Sequence, residues 1–486
     1  MQKYLVIQLA RFGDLIQTKR LILTLQRDGE VHLCVDRSLQ VLAGLVYPGV
    51  VVHTVSAHGA VSPAASLAEH GATFAALAAE RFDGVYNLNH SPLNLAMAAL
   101  FAPETVHGHR LERGQAVRSR WVRMAFRWTA WRRVAPLNLV DFWAALAPDP
   151  IAPGLVNPVA TRGGQGIGVV LAGRESRRSL PPDVLATCLR AVFESYSGPR
   201  VVLLGSKAER PLARQLLQHL TPAMLDRVDD RVGRTDWHGL ADSLAGLDTL
   251  LTPDTGTMHL AAHLGVPVQA FFLSSAWCHE TGPYGLGHRV WQATLDCLPC
   301  AEVQPCPIGV QCLAPFRSPE LLRFLSGRPD HRFPAGMLGM VASMDSVGST
   351  WLPVFGDDAF TPRRRELRAL VGEYLGLFAG EGLHDHALAE LLFHETDWML
   401  PPTVAHPRWA VPGVAASEDT ATALALHDAT TADATGSTRS DADATGSTLS
   451  DADATGSILS DADATGPELS DADASGPNAP GTENSA

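Results

Sequence analysis

Short apolar or β-branched runs recur along the first 300 residues, and most are followed by enough chain for a helix. They are Tyr4–Leu9, Val31–Val35, Val50–Val55 and Gly84–Leu88, then Ile167–Leu171, Arg200–Leu204, Thr249–Thr252, Pro267–Leu273 and His288–Gln292. Several are apolar throughout rather than alternating, as strands covered on both faces of a parallel sheet must be. The spacing predicts an α/β chain with a doubly wound sheet in each half. Between the halves, Ala147-Pro148-Asp149-Pro150-Ile151-Ala152-Pro153-Gly154 and Arg162-Gly163-Gly164-Gln165-Gly166 cannot continue an element. A linker is therefore expected over 147–166, dividing an N-terminal domain, 1–155, from a C-terminal one, 156–325. Two such sheets joined by a hinge would share a cleft at their strand C-terminal edges, where open α/β sheets bind ligands.

The formal charge of −13 is a property of the tail. Residues 415–486 hold 14 acidic side chains against one Arg, while the preceding 414 residues hold 37 of each sign. From about residue 412 the chain is Ala, Asp, Thr, Ser and Gly. The stretch Ser-Asp-Ala-Asp-Ala-Thr-Gly recurs every ten residues with Asp441, Asp451, Asp461 and Asp471 in register, Ser replacing Thr in the last copy. With almost no large apolar side chains it cannot offset the entropy of ordering, so 412–486 is expected to be disordered. Between them, 326–411 reads as a partly helical extension, with helices over Pro362–Phe378 and Ala387–Phe393 and little pattern over Gly336–Gly356. The opening Met1-Gln2-Lys3 leads directly into the first strand, not into an apolar targeting run. Seven cysteines in a large chain without a signal fit a reducing cytosol. No uninterrupted apolar stretch reaches the roughly 18–20 residues of a membrane span.

Chemistry concentrates at two strand ends. Asp254-Thr255-Gly256-Thr257-Met258-His259 follows the run Leu247–Leu251 and opens what reads as a helix. A helix starting there points free N–H groups and its positive dipole end out of the sheet edge, where phosphate binds readily. The first strand ends in Arg11-Phe12-Gly13-Asp14, with Gly13 expected to allow a tight turn and Asp14 to sit at the next helix start. Asp14 is then either an N-cap or a carboxylate placed to take a proton from an acceptor hydroxyl.

Together, Arg11-Phe12-Gly13-Asp14 and Pro253–Ala262, about 240 residues apart, resemble glycosyltransferase family 9, the ADP-heptose:lipopolysaccharide heptosyltransferases. Leu204-Gly205-Ser206 with Glu209, Gly282-Pro283-Tyr284-Gly285 and Cys297-Leu298-Pro299-Cys300 follow in the family's order, so the likeness spans roughly residues 1–325. The resemblance implies a GT-B fold with the acceptor in the N-terminal half and the nucleotide sugar in the C-terminal half. It implies inversion at the anomeric centre without a metal or other cofactor. Asp14 would be the base and Asp254 would hold sugar hydroxyls. Thr255 and Gly256 would offer N–H groups to the diphosphate, His259 would lie near the phosphates or sugar, and Glu209 would contact the ribose near Gly205.

Leu171–Pro181 is similar to the family's phosphate-contacting loop, with Ser176 in the donor site. Arg178 stands where the family has Lys, and Leu180 replaces a Trp. Arg174 and Arg177 flank that cation, which the leaving ADP requires to stabilise developing charge. Lys19-Arg20 stands where the family often carries Pro.

Cys297, Cys300, Cys306 and Cys312 follow C-x2-C-x5-C-x5-C, open to structural zinc or to free thiols. Residues 107–133 gather Arg110, Arg113, Arg118, Arg120, Arg123, Arg127, Arg132 and Arg133 around Trp121, Trp128 and Trp131. Read as a basic helical stretch, this suits an anionic glycolipid at the inner membrane face, with Arg11, Arg120 and Arg123 as acceptor contacts. The competing reading is a solvated helix whose tryptophans pack inward. No recognition motif accompanies the basic stretch, so nucleic acid is not an expected partner. The leading expectation is a cytoplasmic heptosyltransferase, peripheral on the inner membrane. A GT-B enzyme with another donor or acceptor, or a non-catalytic nucleotide-binding relative, are the alternatives.

Overall fold

The computed structural model describes residues 2–58, 63–173, 176–301, 305–329 and 331–378, with positions 388 and 392 beyond them. The stretch up to 378 lies within one compact unit; positions 388 and 392 fall in another. The expected helix Ala387–Phe393 is described only at those two positions, and the acidic repeats lie outside the described residues.

The first sheet has the order β3-β2-β1-β4-β5-β6. Its strands are β1 (Gln2–Gln8), β2 (Gly29–Asp36), β3 (Val51–Val55), β4 (Gly84–Asn87), β5 (Val106–Glu112) and β6 (Gln115–Arg118). All pairings are parallel except β5 with β6. Leu5, Ile7, Cys34 and Val85 are fully buried, so these strands are covered rather than half-wet. The order reverses where β2 and β4 flank β1, which puts the end of β1 at a topological switch point.

The second sheet runs β14-β13-β12-β11-β10-β7-β8-β9. It comprises β7 (Ile167–Val170), β8 (Val201–Leu204), β9 (Val228–Asp230), β10 (Thr249–Thr252), β11 (Val268–Phe272), β12 (Arg289–Ala293), β13 (Met337–Met344) and β14 (Ser349–Phe355). Strands β7 to β12 pair in parallel, and β13 and β14 add an antiparallel hairpin. Here β7 and β10 are adjacent and the order reverses between them, so the loops leaving their C-terminal ends meet. The segment 147–166 carries no strand and only one short 3-10 turn, Pro153–Leu155.

Three expectations fail. Residues 106–118 form the β5–β6 hairpin, not the start of a basic helix; helix begins only at Arg120–Trp128. Gly336–Gly356, which carries little sequence pattern, supplies the β13–β14 hairpin that widens the second sheet. Gly13 makes no left-handed turn, because it lies inside the helix Phe12–Gln17.

The halves are tied by buried charge. Arg20 Nη1 donates to Asp141 Oδ1 at 2.6 Å and to the Val347 carbonyl at 3.0 Å. Asp141 also accepts from the Tyr284 hydroxyl at 2.6 Å and from the Ser349 N–H at 2.9 Å. Burial pushes the Asp141 carboxyl up, with Arg20 and Tyr284 working against that. Lys19 Nζ contacts Asn157 Oδ1 and His263 Nδ1, each at 2.8 Å. The Lys19-Arg20 pair that departs from the family pattern thus fastens the first half to the second.

Candidate active site

Strand β10 ends at Thr252, and the helix Gly256–His263 starts after an extended Thr255. Thr255 is the N-cap: its hydroxyl accepts the Met258 N–H at 3.4 Å and lies 3.1 Å from the Thr252 hydroxyl. Asp254, just before the cap, is buried, and its Oδ2 accepts the Thr281 hydroxyl at 2.9 Å. Burial drives its carboxyl upward, while Arg178, Thr281 and Arg132 pull it back. A carboxylate kept dry beside two guanidinium groups can accept hydrogen bonds from hydroxyls without water competing.

The loop leaving β7 lies beside that carboxylate. Gly173 N–H donates to the Ser179 hydroxyl at 2.8 Å, which folds the loop over a 3-10 turn, Ser176–Arg178. Arg178 is buried, and its charge does more than that of Arg132 to pull the Asp254 carboxyl back down. Ser176 opens the turn, Arg174 lies outside the described residues, and Leu180 joins the core in place of the family's Trp.

Glu209 is buried. Its Oε2 accepts the Ser206 N–H at 2.5 Å in a capping box. A Cβ on Gly205 would stand 2.4 Å from that oxygen, so any larger residue there would displace the carboxylate from this position. Gly205 and Glu209 therefore sit at the end of β8, next to the β7 loop in sheet order.

From the first half, the helix Phe12–Gln17 packs against the helix Gly256–His263. A Cβ on Gly256 would fall 2.2 Å from the Phe12 ring, and that ring is itself held edge-on by Trp237 at 4.9 Å. Arg11, not Asp14, is the N-cap. Asp14 stands at N3, where its Oδ2 accepts the Arg11 N–H at 3.1 Å, and it is buried. The close approach at Gly256 brings the Asp14-bearing helix to the Asp254–Gly256 motif.

His259 is buried in the helix Gly256–His263. With Gln17, Lys19, Asn157 and Tyr284 it lines a cavity of about 10 Å³ between the halves, and its Nε2 is buried without a partner. Burial pushes it down to about 3, so the imidazole is neutral.

Residues not singled out as site residues by sequence reasoning complete the site. Arg132, in the 3-10 turn Thr129–Val134, forks onto Glu280, with Nε to Oε2 at 2.9 Å and Nη2 to Oε2 at 2.6 Å. Its Nη2 also donates to the Ser275 carbonyl at 2.7 Å. Glu280 precedes Thr281, the residue that holds Asp254.

Arg133 likewise donates to the carbonyls of Leu298 and Leu295. Trp121 and Trp128 are buried, and Trp121 Nε1 donates to the Phe142 carbonyl at 2.9 Å. The inward-packing reading therefore holds for these two tryptophans, while Arg120 and Arg123 remain exposed.

The cysteines carry no disulfide. Cys300 Sγ lies 3.2 Å from the Ser274 hydroxyl, and Cys306 Sγ accepts the Val310 N–H at 3.2 Å. Among the described residues, no group of three or more His, Cys, Asp or Glu side chains is arranged to hold a metal ion. No helix among them is long and apolar enough to cross a membrane.

Two doubly wound sheets, with a capped helix, a buried carboxylate and a buried cation at the second switch point, are a GT-B type arrangement. More narrowly, residues 190–308 match the sequence profile of glycosyltransferase family 9 (heptosyltransferase). No curated protein matches the chain. Among solved structures it is similar to the glycosyl transferase family 9 protein of Veillonella parvula, at 16% identity and TM-score 0.46 over 60% of this chain and 86% of that one. It is similar to E. coli ADP-heptose lps heptosyltransferase II at 17% identity and TM-score 0.44, over 60% and 90%. It is also similar to E. coli heptosyltransferase WaaC, solved with ADP, at 20% identity and TM-score 0.45, over 60% and 93%.

Proposed function

We propose that the chain transfers a heptose from ADP-heptose to an anionic, lipid-linked sugar of the lipopolysaccharide core, with inversion and without a metal. The observation that carries this reading is the junction of the two halves, where the helix bearing Asp14 rests on Gly256 of the Asp254–Gly256 donor motif. In this reading Asp14 takes the proton of the attacking acceptor hydroxyl. The new bond forms at the anomeric carbon opposite the C–O bond that breaks, and the electron pair leaves with the ADP diphosphate. Arg178 and the N–H groups of Thr255 and Gly256 stabilise that charge in a water-poor setting. Asp254, oriented by Thr281, accepts sugar hydroxyls, and Glu209 accepts the ribose hydroxyls. Arg11 and the exposed Arg120 and Arg123 face the acceptor's negative groups at the cytoplasmic surface of the inner membrane.

Melting curves in ADP, UDP and GDP test the donor, because a ligand bound only by the folded state raises the midpoint. ADP is expected to give the largest rise, with ADP released from ADP-heptose when acceptor is present. A larger rise with UDP or GDP contradicts the assignment.

A further inference from the structure

The family likeness ends near residue 325, yet the chain beyond it reaches back to the site. The hairpin β13–β14 is followed by the helix Thr361–Tyr374. Trp351 of β14 lies against the turn that carries Glu280 and Thr281, since a Cβ on Gly282 would stand 2.6 Å from its ring. From the helix, buried Arg364 donates to the Arg133 carbonyl at 2.5 Å and to Asp358 Oδ2 at 2.6 Å. One helical turn on, Arg368 donates to the Pro136 carbonyl at 2.5 Å and to Asp345 Oδ1 at 2.6 Å.

The segment gripped in this way is the 3-10 turn Thr129–Val134, and it cannot hold its own direction. Six residues are long for a 3-10 run, and Trp131 breaks it with φ −129° and ψ 62°. Its course is set from outside. The Arg133 side chain donates to the Leu295 and Leu298 carbonyls, and its guanidinium lies 5.1 Å from the centre of the Phe360 ring. Arg364 holds the same residue by its carbonyl. Arg132, next in the chain, then forks onto Glu280, and Thr281 beside it donates to Asp254.

We infer that Arg364 is a positioning residue for sugar binding: it fixes the turn so that Arg132 sets Glu280 and, through Thr281, the Asp254 carboxylate. The helix Thr361–Tyr374 thereby belongs to the working site, although no family motif covers it. This role rests on the reading above that Asp254 accepts sugar hydroxyls.

Calorimetric titration of the full chain with ADP and with ADP-heptose tests it without any acceptor. Arg364→Ala is expected to weaken ADP-heptose about 10-fold, the scale of a hydrogen bond to a charged group, and to leave ADP unchanged. A residue that only stabilises the fold would not move that ratio. In a Glu280→Gln background, where the fork is already weakened, the same change should cost less than about 2-fold. Arg364→Lys serves if the alanine variant melts early; a point charge replaces the two-partner fork, and a loss of about 3-fold is expected. A folded variant that keeps the wild-type ratio, or the full loss recurring in Glu280→Gln, overturns the role of Arg364 and leaves the donor reading standing. Wild type that binds ADP-heptose no more tightly than ADP overturns the reading of Asp254, and this role with it.

Discussion

The two sheet edges that form the site are built on different terms. In the second sheet, Asp254, Thr255 and Gly256 are consecutive, and the fold needs only a strand, a cap and a helix to present them. In the first half, most of the conspicuous chemistry is used for construction. Arg20 serves Asp141, Arg132 serves Glu280, Arg133 serves backbone carbonyls, and Trp121 and Trp128 are core. Charge alone is therefore a poor guide to recognition in this half, and Arg120 and Arg123 are the exposed remainder of the helix Arg120–Trp128.

The largest effect expected separates framework from site. Asp141→Ala leaves Arg20 buried without its carboxylate and should cost about 3–5 kcal/mol of unfolding free energy. Denaturant titration reads this, and a loss within 1 kcal/mol would show that the network holds little. Arg178→Ala should instead spare stability and lower turnover about 100- to 1,000-fold, the usual cost of losing a donor to developing charge. A fall in turnover explained wholly by a lowered melting point would move Arg178 to the framework side.

Next comes a pH effect at the junction. Burial pushes Lys19 down to about 8 from its ordinary 10.5, so between those values the unfolded chain binds the extra proton. Stability should rise as pH climbs through that window, by up to about 3 kcal/mol. Lys19→Met should flatten the rise; an unchanged slope would place its origin elsewhere. The smallest change is expected at the acceptor face. Arg120→Ala combined with Arg123→Ala should move stability by less than about 0.5 kcal/mol while raising the acceptor KM, most strongly at low salt. Equal KM at low and high salt would remove these residues from acceptor binding.

The same contrast governs what the sequence discloses. Ile167–Val170 and Thr249–Thr252 are buried along their whole length and read as strands directly. Strand β5 carries His107, His109 and Arg110 among its apolar residues, and that polarity masks a strand in a basic region. Strand β9 has three residues, and β13 is rich in Gly, Ala, Ser and Met, so neither gives a periodic signal. The donor motif is legible because its parts are contiguous. The Arg132–Glu280 pair joins residues 148 positions apart, and no local pattern announces a contact formed only when both halves fold together. The run of arginines ending at Arg133 and the acid just before Gly282-Pro283-Tyr284 were the only hints.

The central claim is that the Asp14 carboxylate serves as the base opposite the Asp254–Gly256 motif, and Asp14→Asn addresses it most directly. The amide keeps the shape and can still accept the Arg11 N–H, but it cannot take a proton. The account predicts transfer reduced about 100- to 10,000-fold, with the ADP-induced rise in melting point retained. Transfer at the wild-type rate in that variant would contradict it.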